Sequence, residues 1–467
     1  MPEVTASPAI LGLDHHTLLD LEIFESTSSG PCLFEFCNFT RTAGGAKALR
    51  RRMENPPAEA ARIREIQASI AFIQGQRALF DALPSAYASD STEDYMRKIL
   101  PAVDYRGWLE FVLGAVQIWS SQDSHFFSIL RGVQCAAQMI QSLRQFTAQP
   151  GLAGVGGEFA PLLGDMKKLL ARPELQRVPD HAVGGLSTWR LLRLDQLLRV
   201  QEKETVNQLL SLVYEMDALV SMADATVRHG FVMPQVDEGL PQVSGEGLFH
   251  PYLDKPVPNP VALDQQHRIL FLTGPNMAGK TTYLRAFATA LYLGHLGMGV
   301  PAASFRFAPV QRLFSSICLS DDLRSGVSYF RAEALRVKVV AEAVAQGEYV
   351  VALMDEPFKG TNVKDAFDAS LAILQRLSTR PNCLFMFSSH HIELSEQLDT
   401  AHGQVDCRYF EAEESGGRLR FDYRLRPGVS GQRLGMRVLR EEGIFDLLDS
   451  QEKATGTTSA CARIERT

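Results

Sequence analysis

Gly274-Pro275-Asn276-Met277-Ala278-Gly279-Lys280-Thr281 fits G-x-x-x-x-G-K-[ST]. The glycines of such a loop let backbone N–H groups curl around phosphate oxygens. Lys280 then reaches the β/γ-phosphates, the Thr281 hydroxyl can ligate Mg²⁺, and the following helix points its positive end at the anion. Further on, the apolar run Tyr349–Met354 ends in Asp355-Glu356. A buried strand ending in two carboxylates is a Walker B arrangement: Asp355 would hold Mg²⁺, and Glu356 would orient or deprotonate the attacking water. An Asp-Glu pair can also be a solvated strand end; its position after the phosphate loop favours the chemical reading. Cys383–Phe387 leads into Ser388-Ser389-His390-His391. A histidine at a strand end beside phosphates can sense the γ-phosphate, and spacing alone leaves a structural role equally open.

These residues can meet only if strands carry them to one edge of a sheet. Arg268–Thr273 reads as a buried strand, Thr281–Leu296 as a helix, Tyr349–Met354 as a strand, Val363–Leu377 as a helix and Asn382–Phe387 as a third strand. Strands alternating with helices predict an α/β domain with a largely parallel sheet. Upstream of Met233 the pattern is helical. Ser187–His229 contains neither Gly nor Pro, and its leucines and valines recur at three- and four-residue steps. As one helix it would span about 65 Å; a nearly continuous pair fits equally. Phe111–Ala148 is a second helical region, interrupted at Ser120–Asp123, and Gln149–Gly157 reads as a loop. Pro and Gly become frequent from Pro234 to Pro260, which marks a boundary.

The chain has 467 residues, 45% hydrophobic and 22% charged, which excludes a disordered or collagen-like polymer. A net charge of −7 excludes coating of nucleic acid by bulk charge but leaves local basic patches open. Seven cysteines without a C-x-x-C pair read as reduced thiols. No leader is recognisable at the N-terminus and no run spans a membrane, so a cytoplasmic protein with no membrane partner is expected.

Taken together, the motifs resemble those of the MutS mismatch-repair ATPases, a branch of the ABC-type class. Gly274–Thr282 resembles the family's phosphate loop with its unusual Pro-Asn-Met insert. Asp321-Asp322-Leu-Arg-Ser-Gly326-Val-Ser328-Tyr-Phe330-Arg-Ala-Glu333 resembles its signature loop, with Ser328 at the serine that reaches the opposite subunit's nucleotide. Asp355–Asn362 resembles its Walker B segment and following loop. Ser389-His390 with Glu393-Leu394 resembles its switch, which moves His390 to the catalytic reading. Gly247–Pro251 and Asn259 fit the approach to the phosphate loop, and Thr40–Gly45 with Leu49, Arg51 and Pro56 resembles the start of the helical core domain.

The resemblance implies an N-terminal all-α core and lever region followed by an α/β P-loop ATPase domain of ABC type. The implied domains are a core at 1–100, levers with an absent or reduced clamp at 101–235, the ATPase domain at 236–450 and a disordered tail at 451–467. It implies ATP and Mg²⁺ as cofactors, a homodimer with composite sites, and DNA as a partner of unspecified structure. Glu356 and His390 would be catalytic, and Thr281 and Asp355 would hold the metal. Gly274, Pro275, Asn276, Met277, Ala278, Gly279, Lys280, Thr281, Thr282, Asn259 and Ser328 would bind nucleotide.

The departures set further expectations. The chain begins where the family's core domain begins, so the mismatch-reading and connector domains are expected to be missing. Pro256 or Val257 stands where relatives stack a ring on adenine, so weak discrimination between purines is expected. The alternative function is an ATP-operated DNA-binding clip or scaffold with negligible turnover and no mismatch specificity. A transporter-type ATPase is disfavoured, because no Leu-Ser-Gly-Gly-Gln precedes the Walker B strand; Val429-Ser-Gly-Gln432 falls after it. Lys47, Arg50, Arg51 and Arg52 form a basic stretch that reads either as a solvated helix face or as a phosphate-binding patch.

Overall fold

The computed structural model describes residues 10–27, 30–98, 109, 112–114, 116, 124–180, 187–317, 329–402, 404–415, 418–432, 435–445 and 447–448. The chain divides into two compact units, one of residues 1–239 with 288–313, the other of 240–287 with 314–467. The strands among the described residues are β1 (Gly12–Leu13), β2 (Gln235–Val236), β3 (Val243–Leu248), β4 (Asn259–Leu263), β5 (Ile269–Thr273), β6 (Ser304–Phe307), β7 (Arg312–Ser316), β8 (Val350–Asp355), β9 (Cys383–Ser388), β10 (Val405–Tyr409), β11 (Ala412–Ser415), β12 (Arg418–Phe421) and β13 (Arg426–Pro427).

The first unit is mainly helical. Its longest helix, Lys203–Arg228, packs against the helices Ala43–Glu54, Ala60–Gly75, Ala86–Arg97 and Phe159–Leu170. Val206, Leu209, Val213, Met216 and Val220 are all buried, as their spacing requires. The stretch read as one helix or a pair is Thr188–Gln196, a π-helical segment Leu197–Gln201, then Lys203–Arg228. Within it, the buried Arg199 donates to the buried Asp195 four residues earlier, which also accepts from the Tyr95 hydroxyl. The part of Phe111–Ala148 seen as a continuous helix is Ser124–Thr147, and a short 3-10 turn, Pro150–Leu152, opens the Gly-rich segment.

The Thr40–Gly45 segment is explained by one carboxylate. Asp217, on the long helix, accepts from the N–H groups of Arg41 (3.0 Å) and Thr42 (2.9 Å) and from the Thr42 hydroxyl (2.7 Å), while Thr42 caps the helix Ala43–Glu54 through Gly45 N (2.8 Å). A β-carbon at Gly45 would lie 2.1 Å from the Asp217 carboxylate, and one at Gly44 would lie 2.3 Å from the Tyr214 ring. The helix can approach this closely only because both positions are glycine.

The three arginines of the basic stretch on that helix are paired with carboxylates. Arg50 pairs with Glu54 (3.0 Å), Arg51 with Glu215, and Arg52 with both Glu158 and Glu215 (each 2.8 Å). Arg51 and Arg52 thus brace this helix against its neighbours, while Arg50 pairs within it.

His295 ends the helix Lys280–His295 and is fully buried. Its Nδ1 lies 2.8 Å from the Pro57 carbonyl, which can only accept, so Nδ1 carries the proton; Nε2 then accepts from Val310 N at 3.3 Å. Burial pushes its pKa down to about 4, with the Pro57 bond opposing the shift. The unfolded chain titrates this group near 6.5 and the native state does not. Its contribution is therefore intact above about pH 6.5 and is lost as pH falls toward 4. Between pH 7 and pH 5 this histidine should remove about 2 kcal/mol of stability. Chemical unfolding of wild type and His295→Gln at both pH values checks it: equal pH slopes for the two proteins would refute the assignment.

In the second unit the strands run in the order β7–β8–β9–β5–β10–β13. β8, β9, β5 and β10 are mutually parallel, and β13 returns antiparallel to β10. β5 and β9 are buried along their whole length and β8 along all but its last residue, so they read as unbroken apolar runs rather than alternating ones. The core between sheet and helices holds Phe271, Phe385, Phe387, Val340, Leu374 and Leu394. β3 and β4 form a separate antiparallel pair, with a bulge between Gly245 and Leu248. No described helix is long and apolar enough to cross a membrane.

Candidate functional site

β9 lies between β5 and β8, and Ser388 sits opposite both Leu272 of β5 and Asp355 of β8. Because the three strands are parallel, the segments leaving their C-terminal ends meet at one edge, where ligands of open α/β sheets bind. These segments are Gly274–Lys280, Asp355-Glu356 and Ser389-His390, the three motifs singled out in the sequence.

The phosphate loop follows the buried Thr273, whose carbonyl accepts from Phe410 N (3.1 Å). Gly274, Met277 and Gly279 have φ of 136°, 70° and 105°, which folds the loop back over the start of the helix Lys280–His295. Lys280 is buried, and its Nζ donates to the carbonyl of Gly274 (2.8 Å) and lies 3.4 Å from Glu356 Oε1. Burial pushes its pKa down, and Glu356 partly opposes this. Thr281 Oγ1 donates to Asp355 Oδ2 at 2.5 Å. Ser388 donates to the other Asp355 oxygen and accepts from Glu356 N at 3.1 Å, so one hydroxyl fixes both acidic residues.

Glu356 is the electrostatic centre. Its Oε1 lies 2.6 Å from His390 Nε2, and its Oε2 lies 3.0 Å from Lys359 Nζ. Burial raises its pKa, but the bonds from His390 and Lys359 and the charges of His390 and Lys280 outweigh that and hold it at about 2. Its φ of 51° and that of Phe358, 67°, put two non-glycine residues in the left-handed region, a strained turn of the kind found at working sites.

A cavity of about 450 Å³ opens beside the loop, within the ordinary size of a small-ligand pocket. Pro275, Asn276, Met277, Gly279, Lys280, Thr281, Thr282 and Glu356 line one part of it; Leu248, His250, Pro256, Val257 and Tyr423 line the other. Ala278 is buried under the loop and does not line the cavity. Asn259 lines it, but its amide is committed to backbone: Nδ2 donates to the carbonyls of Val257 (3.2 Å) and Tyr423 (2.9 Å), and Oδ1 accepts from Leu425 N (2.7 Å). It therefore seats the segment that carries Tyr423. Gln432 of the partial signature match is likewise occupied, both ends of its amide bonding the backbone of Ala412. Ser328 and residues 318–327 lie outside the described residues, as does the expected tail at 451–467.

Sequence reasoning assigned no role to Tyr423, Ser388 or Lys359. Tyr423 is a half-exposed ring in the connection between β12 and β13, so nothing local signals it. Ser388 and Lys359 stood inside quoted motifs, and their partners are visible only once the strands are aligned.

The residues fit nucleotide and metal on three observations. The loop's backbone is bare at Gly279, which lines the cavity, the donors at Thr281 and Asp355 are hard oxygens suited to Mg²⁺, and the cavity continues past the loop. Among the described residues no cluster of three or more His, Cys, Asp or Glu could hold a metal.

Residues 270–454 match the family model MutS domain V, which supports membership in the MutS family. That domain is the ATPase domain of the family and belongs to the ABC-type ATPases. Proteins of the family bind DNA and dimerise.

Proposed function

We propose that this chain is a Mg²⁺-dependent ATP hydrolase that works as a homodimer and couples turnover to DNA. The observation that carries the reading is the convergence of Lys280, Glu356 and His390: Lys280 Nζ and His390 Nε2 both face Glu356 Oε1, at 3.4 and 2.6 Å. In this reading residues 236–450 form the ATPase domain, 1–100 the core and 101–235 the levers, in a cytoplasmic protein.

The loop N–H groups of Gly274–Thr282 and the Lys280 ammonium hold the phosphates. Mg²⁺ at Thr281 and Asp355 would neutralise phosphate charge and fix its geometry. Glu356 accepts the proton of the attacking water, and His390 holds that carboxylate in place. Tyr423 offers the base a ring that Pro256 and Val257 do not. Ser328 completes the partner subunit's site.

A second reading, a clip that binds ATP and turns over negligibly, is favoured by one observation: both oxygens of Glu356 are already engaged. One experiment separates them. Hydrolysis is measured for wild type, for Ser328→Ala and Glu356→Gln chains alone, and for their equal mixture, each with and without duplex, mismatched and branched DNA. Composite sites predict that the mixture exceeds both variants, because one of its two sites carries neither defect. DNA coupling predicts that at least one DNA changes the wild-type rate several-fold. A mixture no better than its parts, with the heterodimer shown to form, rules out the trans role of Ser328. Tight ATP binding with no turnover establishes the clip.

A further inference from the structure

Glu356 is assigned the role of taking a proton from water, yet both of its oxygens already face cations. Oε1 faces His390 and Lys280, and Oε2 is held by Lys359. The three cations differ. Lys280 is buried and committed to the loop carbonyls, and His390 follows directly from β9. Lys359 differs from His390 less in exposure, 51% against 44%, than in its stem, a flexible four-carbon chain. Of the three it can leave at the lowest cost.

The backbone beneath Lys359 is by contrast fixed. Glu333, buried on the helix Tyr329–Ala345, accepts from the N–H groups of Lys359 (3.1 Å) and Gly360 (3.3 Å). Phe358, also buried, packs its ring 5.7 Å from Phe330 of the same helix. Arg336, one turn after Glu333, donates to the Ser315 carbonyl at 2.6 Å and anchors that helix to β7. The ammonium thus sits at the end of a flexible stem on a fixed backbone. That backbone is tied to the helix that directly follows the segment carrying Ser328.

We propose that Lys359 is a removable restraint on Glu356: by holding Oε2 it keeps the carboxylate from receiving a water proton, and hydrolysis starts only when the ammonium leaves. This rests on the ATP-hydrolase reading above. Lys359 acts through Glu356 and does not line the nucleotide cavity, so it is a positioning residue and should alter the rate of the chemical step without altering affinity.

The test is single-turnover ATP hydrolysis and equilibrium ATP binding by the full chain carrying Lys359→Gln, Lys359→Arg, Glu356→Gln or the double change Lys359→Gln/Glu356→Gln. Lys359→Gln should hydrolyse at least threefold faster than wild type with unchanged Kd. Lys359→Arg, which keeps the cation, should stay near the wild-type rate. In the Glu356→Gln background the Lys359 change should have no effect, because the group it restrains is gone. A merely structural lysine would not accelerate the reaction or lose its effect in that background. A Lys359→Gln rate equal to or below wild type overturns the proposal. So does an acceleration that persists without Glu356. A chain that binds ATP but turns over in neither form overturns the restraint and leaves nucleotide binding standing, whereas one that binds no ATP overturns the functional reading itself.

Discussion

Replacing Lys280 by alanine should abolish measurable ATP binding, whereas Glu356→Gln should keep binding and slow single-turnover hydrolysis by at least ~10²-fold. The geometry makes the two effects distinct. Lys280 is a buried cation whose partners are loop carbonyls and Glu356, so an arriving phosphate is the anion that completes its surroundings. Without it, the phosphate would lose the buried cation beside the loop and face a Glu356 held by His390 and Lys359 alone, at a cost of about 3 kcal/mol or more, over a hundredfold in Kd. Glutamine at 356 is isosteric and can still accept from His390 or Lys359, so the cavity keeps its shape; what it cannot do is take a proton. Equilibrium titration with a non-hydrolysable ATP analogue and rapid-quench measurement on both variants decide the matter. Equal loss of binding in both would mean that Glu356 is part of the phosphate-binding surface and not the base.

The positions proposed for these roles were legible before any fold was known because each lies in a contiguous motif. A glycine-rich loop between a strand and a helix, and acidic residues ending an apolar run, are local patterns, and β5, β8 and β9 are apolar up to their last residues because both faces of the sheet are covered. β10 escaped detection for the converse reason. Val405–Tyr409 is only partly buried and carries Asp406 and Arg408, which pair with each other at 2.9 Å, so no apolar run announces it. The π-helical segment Leu197–Gln201 was hidden because its residues keep helical spacing; it contains Arg199, whose partner Asp195 is also bonded by Tyr95 from a distant part of the chain. Asn259 shows a different limit. Its place in the cavity was anticipated, but its amide is bound to backbone that arrives more than 160 residues later at Tyr423 and Leu425. A pattern can nominate a residue for a site without revealing whether it touches the ligand or holds what does.

Gly274→Ala should cost on the order of 3 kcal/mol and remove nucleotide binding with it, whereas Gly347→Ala should cost only about 1 kcal/mol. Both glycines have positive φ, 136° and 80°, so both substitutions pay the conformational penalty of a side chain in that region. They differ in surroundings. A β-carbon at Gly347, just past the helix Tyr329–Ala345, meets open space. At Gly274 it would lie 2.5 Å from the Phe410 carbonyl oxygen and 3.3 Å from two further backbone atoms of Phe410. Backbone cannot rotate aside as a side chain can. Here it is also pinned, because Phe410 N donates to the Thr273 carbonyl at 3.1 Å and the Phe410 ring is buried against Tyr283. Relief must come from parting the end of β5 from the chain leaving β10, and that movement displaces the Gly274 carbonyl that holds Lys280. Stability and binding should therefore fail together. Thermal unfolding, with hydrogen exchange at the amides of β5 and β10, gives the readout. Similar losses for both variants would show that backbone strain alone matters at Gly274. Full ATP binding by a folded Gly274→Ala protein would show that the loop can reshape itself around the clash.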